Sequence, residues 1–238
     1  MRFPKKISIL FWLISGGCFP VYAEMLTYSS GTGFFVTRDG YIVTNNHVVQ
    51  HCANISVSGA VPLSNAKLVS SDVGYDLALL KTDVLAMDEA KLSSIKQPLR
   101  ANDPVVVVGY PGQSWQTGHA QMREATIIKT KGPRGEEKWL EFSDSLAQGN
   151  SGGPLLDSAG NVVGVVAAKG RLVNYNEVAA LEETVEKFDL AISLPVIRQF
   201  LANNGVLYRE ADSGIYLSAD RITDDARRFV VNVRCQVK

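Results

Sequence analysis

Gly149-Asn150-Ser151-Gly152-Gly153-Pro154 places a serine hydroxyl between glycines, immediately ahead of a short apolar run. A serine that attacks a carbonyl must stand exposed on a tight turn. Flanking glycines permit the backbone angles of such a turn and keep the approach open. The same turn can aim the backbone N–H groups of Gly149 and Ser151 into one pocket, where each would stabilise an oxyanion by about 3–4 kcal/mol. The hydroxyl also needs a base. Of three histidines, His47 stands in Thr44-Asn45-Asn46-His47-Val48-Val49, directly after a strand-like run that would hold it rigidly at the edge of a cleft. His51 follows four residues later, a spacing that could suit a metal pair. No Glu stands between the two and no third ligand follows, so no metal is expected. His119 lies in a polar loop and reads as solvated. The base needs an orienting carboxylate. Asp76 opens Asp76-Leu77-Ala78-Leu79-Leu80-Lys81. An acid leading into an apolar strand is costly to bury unless it accepts hydrogen bonds, and a histidine N–H is a suitable donor.

The elements that must position these groups read as β. Short apolar or alternating runs at 33–37, 41–44, 54–58, 76–81, 104–109, 126–130, 139–142, 153–156 and 162–168 are separated by turn signals. The near-continuous valine of 104–109 predicts a strand buried on both faces. The βαβ alternation of a parallel sheet is missing from this pattern. Two helices are predicted. One starts at Pro195 and stops before Gly205; the other spans 176–187, where Val178, Leu181 and Val185 recur at helical spacing among Glu177, Glu182, Glu183 and Glu186. The tail 206–238 is too short for another independent domain and reads as a linker plus a final strand over 229–235 packed on the rest.

The 238 residues are 46% hydrophobic and 20% charged, an ordinary globular balance. Lys+Arg and Asp+Glu are both 24, so nothing points to nucleic acid. Residues 1–23 read as a signal peptide. Arg2, Lys5 and Lys6 precede the apolar run 7–14, and Val21-Tyr22-Ala23 offers a cleavage site. That run is far below the roughly 20 residues a membrane span requires. Cys18 as a lipoprotein site is disfavoured because Ser15 occupies the place of the usual bulky aliphatic. Cleavage would leave 21 basic and 24 acidic residues, a net charge of −3, and no stable membrane insertion is expected afterwards. Cys52 and Cys235 would remain, an even pair that in an oxidising compartment could form a disulfide or stay as free or intermolecular thiols.

Gly31-Thr32-Gly33-Phe34, the His47 segment, the Asp76 segment and the Ser151 string together resemble the trypsin-like serine peptidases. They are most similar to the bacterial HtrA/Deg branch and its short relatives, over about residues 29–202. The resemblance implies an all-β fold of two antiparallel six-stranded β-barrels. A short C-terminal helix and an extra C-terminal strand would follow, and the site would lie between the barrels. It implies a peptidase domain over 24–205; the chain departs from that branch in its tail over 206–238, which is expected to pack on the barrel and is too short for the usual PDZ domain. It assigns His47 as general base, Asp76 as its orienter and Ser151 as nucleophile, with Gly149 and Ser151 as oxyanion donors. Val165-Val166-Ala167-Ala168-Lys169 matches the family's substrate-pairing edge strand, which places Ala167, Ala168 and Lys169 beside an extended polypeptide. Ser145 falls at the base of the primary specificity pocket. With no Asp there, an apolar side chain of small or medium size is expected at the cleaved position. Asn150 replaces the Asp that animal trypsins pair with a new amino terminus, so the site should be preformed or ordered by substrate.

The expected activity is therefore an exported serine endopeptidase, periplasmic or secreted, that acts on unfolded or extended polypeptides through an acyl-enzyme. No cofactor is implied, and oligomerisation is left open. The alternative is a catalytically silent peptide-binding or holdase protein on the same fold. An esterase of the α/β-hydrolase type is disfavoured, because its residue order is Ser, Asp, His and its sheet alternates with helices.

Overall fold

The computed structural model describes residues 28–112, 114–143, 146–174, 184–212 and 214–237. In chain order the elements are β1 (Tyr28–Phe35), β2 (Tyr41–Thr44), α1 (Asn46–Val49), β3 (Cys52–Gly59), β4 (Ser64–Asp72), β5 (Leu77–Lys81), β6 (Lys91–Ser93) and β7 (Pro104–Gly109). Then come α2 (Ser114–Thr117), β8 (Gln121–Lys129), β9 (Trp139–Phe142), β10 (Pro154–Leu156), β11 (Val162–Asn174) and β12 (Thr184–Ser193). The chain closes with α3 (Leu194–Asn203), β13 (Arg209–Ala211), α4 (Ala219–Ala226) and β14 (Val230–Val237).

These strands form two closed antiparallel barrels of six. The first runs β1-β14-β3-β4-β5-β2, and the second runs β10-β7-β8-β9-β12-β11 and closes through β10–β11. The short β6 and β13 extend the second sheet in parallel beside β11. The valine run of β7 shows why a strand can be buried on both faces. Side chains alternate along a strand, so Val105 and Val107 pack with Ile127, Phe142 and Leu155 inside the second barrel. Val106 and Val108 join the larger cluster that runs from Phe34 and Leu79 of the first barrel across to Phe200 of α3. Each such valine is worth about 1.5–3 kcal/mol of burial, which favours this strand at the junction of two cores.

The C-terminal strand is an integral stave of the first barrel. β14 lies between β1 and β3, with Val233 opposite Gly31 on one side and Val57 on the other. This register brings Cys235 next to Cys52, with Cα atoms 5.3 Å apart and the sulfurs at bonding distance. Ahead of it, α4 is capped by Ser218, whose side chain accepts from the Arg221 N–H, and buries Ile222 and Ala226.

The helix expected over 176–187 is corrected by the structure. Residues 184–187 open β12 and pair with β11, Val185 opposite Val173 and Glu186 opposite Leu172, while 175–183 lie outside the described residues. Thr184 and Val185 are β-branched and suit a pleated strand, and the facing strand satisfies the backbone groups a helix would otherwise have paired internally. β4, β6, β13 and α4 also fall where the sequence pattern placed no strand or helix, and α4 replaces part of the stretch read as linker.

Candidate active site

His47 lies on α1, a single turn directly after β2, and Asp76 lies just before β5, the strand paired with β2. Four hydrogen bonds join the two segments. The Asp76 carbonyl accepts from Asn45 Nδ2 at 2.9 Å and from the Asn46 N–H at 3.2 Å. Its carboxylate accepts the His47 N–H at Oδ1, 2.9 Å away, and Oδ2 lies 2.7 Å from His47 Nδ1. Asp76 holds φ at +57°, an uncommon value for a residue with a side chain, and these four bonds compensate for it. An ionised carboxylate can only accept, so the proton between the two side chains sits on Nδ1; in the neutral imidazole that tautomer leaves Nε2 with its lone pair. The Asp76 side chain is 25% exposed and the His47 side chain 41%, so the acid is the more enclosed member of the pair.

The Ser151 turn is fixed through its carbonyls. Gly112 N–H donates to the Gln148 carbonyl at 2.7 Å, and Gly153 N–H donates to the Asn150 carbonyl at 2.9 Å. Peptide units are planar and trans, so the N–H groups of Gly149 and Ser151 point away from these anchors. Asn150 N–H is spent on the Ala147 carbonyl at 3.1 Å, whereas no described group accepts from Gly149 or Ser151 N–H. Two backbone donors of the turn are thereby left without an acceptor among the described residues. Gly149 (φ +102°) and Gly152 (φ +84°) make this path available. A Cβ on Gly152 would collide with the Thr32 carbonyl and Thr44 Oγ1, and lie 3.0 Å from Asn45 N. The serine turn is therefore seated against the end of β2 that delivers His47. The Ser151 hydroxyl itself donates to the Ala167 carbonyl at 3.3 Å, and among the described residues no hydrogen bond joins it to His47.

Ala167, Ala168 and Lys169 all lie on β11. That strand pairs with β10 only as far as Val165, so from Ala167 onward the edge opposite β12 carries no strand among the described residues. Ser145 lies outside the described residues. Its neighbour Leu146 donates its N–H to Asp189 Oδ2 at 2.7 Å. Asp189, fully buried on β12, is a residue that sequence reasoning missed: it stands just beyond the predicted 176–187 helix, and no local motif marks it. Thr32 was likewise quoted only as part of a motif. It is fully buried and makes four hydrogen bonds around the Ser151 turn. His51 and His119 are exposed.

Two β-barrels with a serine turn packed against a His–Asp pair define the architecture of a trypsin-like peptidase. The trypsin-like peptidase domain family matches residues 31–165, and the chain belongs to it. The chain is 37% identical to a probable periplasmic serine endoprotease DegP-like of Rhizobium meliloti, over 59% of this chain and 28% of that protein. It is 30% identical to human Serine protease HTRA4, over 84% of this chain and 39% of that protein. It therefore spans about a third of the length of these relatives. Among solved structures, the serine endoprotease from Yersinia pestis superposes with a TM-score of 0.56 at 27% identity, covering 73% of this chain and 56% of that one.

Proposed function

We propose that this protein is a serine endopeptidase that cleaves extended polypeptides through an acyl-enzyme, with Ser151 as nucleophile, His47 as base and Asp76 as its orienter. The observation that carries the reading is the Asp76 carboxylate gripping His47 at both its backbone and its ring, 2.9 and 2.7 Å away. That grip supports a neutral imidazole that carries its proton on Nδ1 and uses Nε2 as the base. In the first step Ser151 Oγ leaves the Ala167 carbonyl, passes its proton to Nε2 and bonds to the scissile carbonyl carbon. Charge develops on the carbonyl oxygen, and the Gly149 and Ser151 N–H groups stabilise it. The imidazolium then protonates the leaving amine, and water releases the acyl group by the same path in reverse.

The free edge of β11 at Ala167–Lys169 supports recognition by strand addition, which selects unfolded or extended chains over folded ones. Ser145 supports a small or medium apolar residue at the cleaved position. The name of the DegP-like relative supports action in a periplasm, and the charged start, apolar run and small residues of 1–23 support an export signal. Such a compartment would also favour a bond between Cys52 and Cys235.

A fluorophosphonate probe tests the assignment. It is expected to label residues 24–238 at Ser151, and Ser151→Ala is expected to abolish labelling and lower casein turnover by several orders of magnitude. The serine hydroxyl resting on Ala167 is the one observation that favours a silent peptide-binding cleft. A folded protein that binds casein, resists the probe and leaves casein intact would establish that second reading.

A further inference from the structure

Thr32 sits on β1 in the first barrel, yet it holds the Ser151 turn of the second. Its Oγ1 donates to the Gly149 carbonyl at 2.7 Å and accepts the Tyr110 N–H at 3.0 Å. Its backbone N–H donates to the Ser151 carbonyl at 2.8 Å, and its own carbonyl accepts from Thr44 Oγ1 at 2.7 Å. The turn is thus gripped on both sides of Asn150, and Thr44 lies three residues before His47. The direction of the hydroxyl bond is set by chemistry. A backbone N–H can only donate, so Thr32 Oγ1 must accept from Tyr110, and its single proton is left for Gly149. Without that bond the Gly149–Asn150 peptide keeps only the Asn150 N–H contact with the Ala147 carbonyl. Any tilt of it changes the backbone angles at Gly149, which no Cβ restricts, and at Asn150, the two joints to the peptides that carry the Gly149 and Ser151 N–H groups.

We propose that Thr32 is a positioning residue for the oxyanion donors. Its hydroxyl fixes the Gly149 carbonyl and so takes the place of an amino-terminal salt bridge in ordering the nucleophile turn. The clamp is backed by the C-terminal strand. Asn232 stands directly opposite Thr32, is fully buried, and donates from Nδ2 to the Gly31 carbonyl at 3.0 Å and to Ser30 Oγ at 2.9 Å. The role in turnover rests on the peptidase reading above, whereas the clamp itself does not.

The comparison of Thr32→Ala with Thr32→Ser isolates the hydroxyl, since both lack the methyl group. Thr32→Val adds a variant close to the natural shape. Thr32→Ser is expected to keep kcat within about threefold of the parent. Thr32→Ala and Thr32→Val are expected to lose about 10²-fold in kcat with little change in KM, the loss that follows removal of one oxyanion donor. A peptide boronate, which mimics the tetrahedral intermediate, should weaken in the same proportion for Thr32→Ala and Thr32→Val and not for Thr32→Ser. Amide exchange over 146–152 should quicken in Thr32→Ala relative to Thr32→Ser, with the barrel strands unchanged. Equal kcat and equal exchange in the Ala and Ser variants would overturn the proposal. If the parent protein resists fluorophosphonate, the peptidase reading fails, and the exchange comparison alone decides whether Thr32 clamps the turn.

Discussion

Asp76 shows how one residue can order a whole loop. Its backbone holds Asn45 and Asn46, and its carboxylate holds His47, so the loop that carries the proposed base is assembled around the acid. Asp76→Asn keeps the shape but replaces one oxygen with an NH2 group facing Nδ1. Two donors cannot share that contact, so the ring must present its proton on Nε2, the wrong side for accepting one from Ser151. The expected outcome is a drop in kcat of about 10⁴-fold with near-parental folding, measured by peptide turnover and thermal unfolding. Retention of full kcat would show that Asp76 does not orient the base. At this scale His47, Asp76 and Ser151 were legible, because each stands in a local string whose chemistry is unusual for a plain turn. Thr32 and Asp189 were not. A buried hydroxyl or carboxylate is functional only through partners 117 and 43 residues distant in the chain, and nothing local records those partners.

The strands contribute mainly through which neighbours they acquire. β14 pairs along its length with both β1 and β3, so its removal would leave two unpaired edges in a sheet that must close. A chain ending at Phe229 is expected to lose cooperative unfolding and to aggregate, as followed by calorimetry and size-exclusion chromatography. A truncated chain with the parental melting temperature would show that the first barrel closes without β14. The Cys52–Cys235 pair spans 183 residues, and a bond across so long a loop is worth roughly 3–5 kcal/mol. Cys235→Ser is accordingly expected to lower the melting temperature by about 10 °C without reductant, and to change nothing once reductant is present. Thiol titration of the unfolded parent should find both cysteines oxidised. The sequence pattern located β2, β7 and β9 at their observed bounds, since their apolar runs are bracketed by clear turns. It misread the start of β12, because Val178, Leu181 and Val185 imitate a helical face and only the facing β11 decides otherwise.

The molecule as a whole depends on the seam between its barrels. Tyr110 directly follows β7, with its backbone on Thr32 and its phenol against Gly59 of β3, and only 2% of its surface exposed. Burial pushes its phenol up to about 12, against a smaller opposing pull from Arg227. The unfolded chain releases that proton near pH 10, whereas the folded protein retains it. The stabilisation is therefore complete below about pH 10 and is lost as pH rises towards about 12. Over that interval the parent should lose roughly 2–3 kcal/mol of stability that Tyr110→Phe does not lose. Urea unfolding of both proteins at pH 9, 10, 11 and 12 measures the difference; parallel curves would mean that the phenol is not buried at the seam.

The sequence by itself determined the chemistry available and much of the strand pattern. Short-range facts suffice for these: a serine between glycines, an acid before an apolar run, a histidine after one, and alternation of period two. Tertiary structure alone decided how those pieces meet. It inserted the last strand between β1 and β3, brought Cys235 to Cys52, and turned Thr32 and Asp189 toward a loop far away in sequence. The reason is physical: hydrogen bonds and apolar burial act over a few ångströms in space and are indifferent to separation along the chain, so a partner found only after folding leaves no local mark.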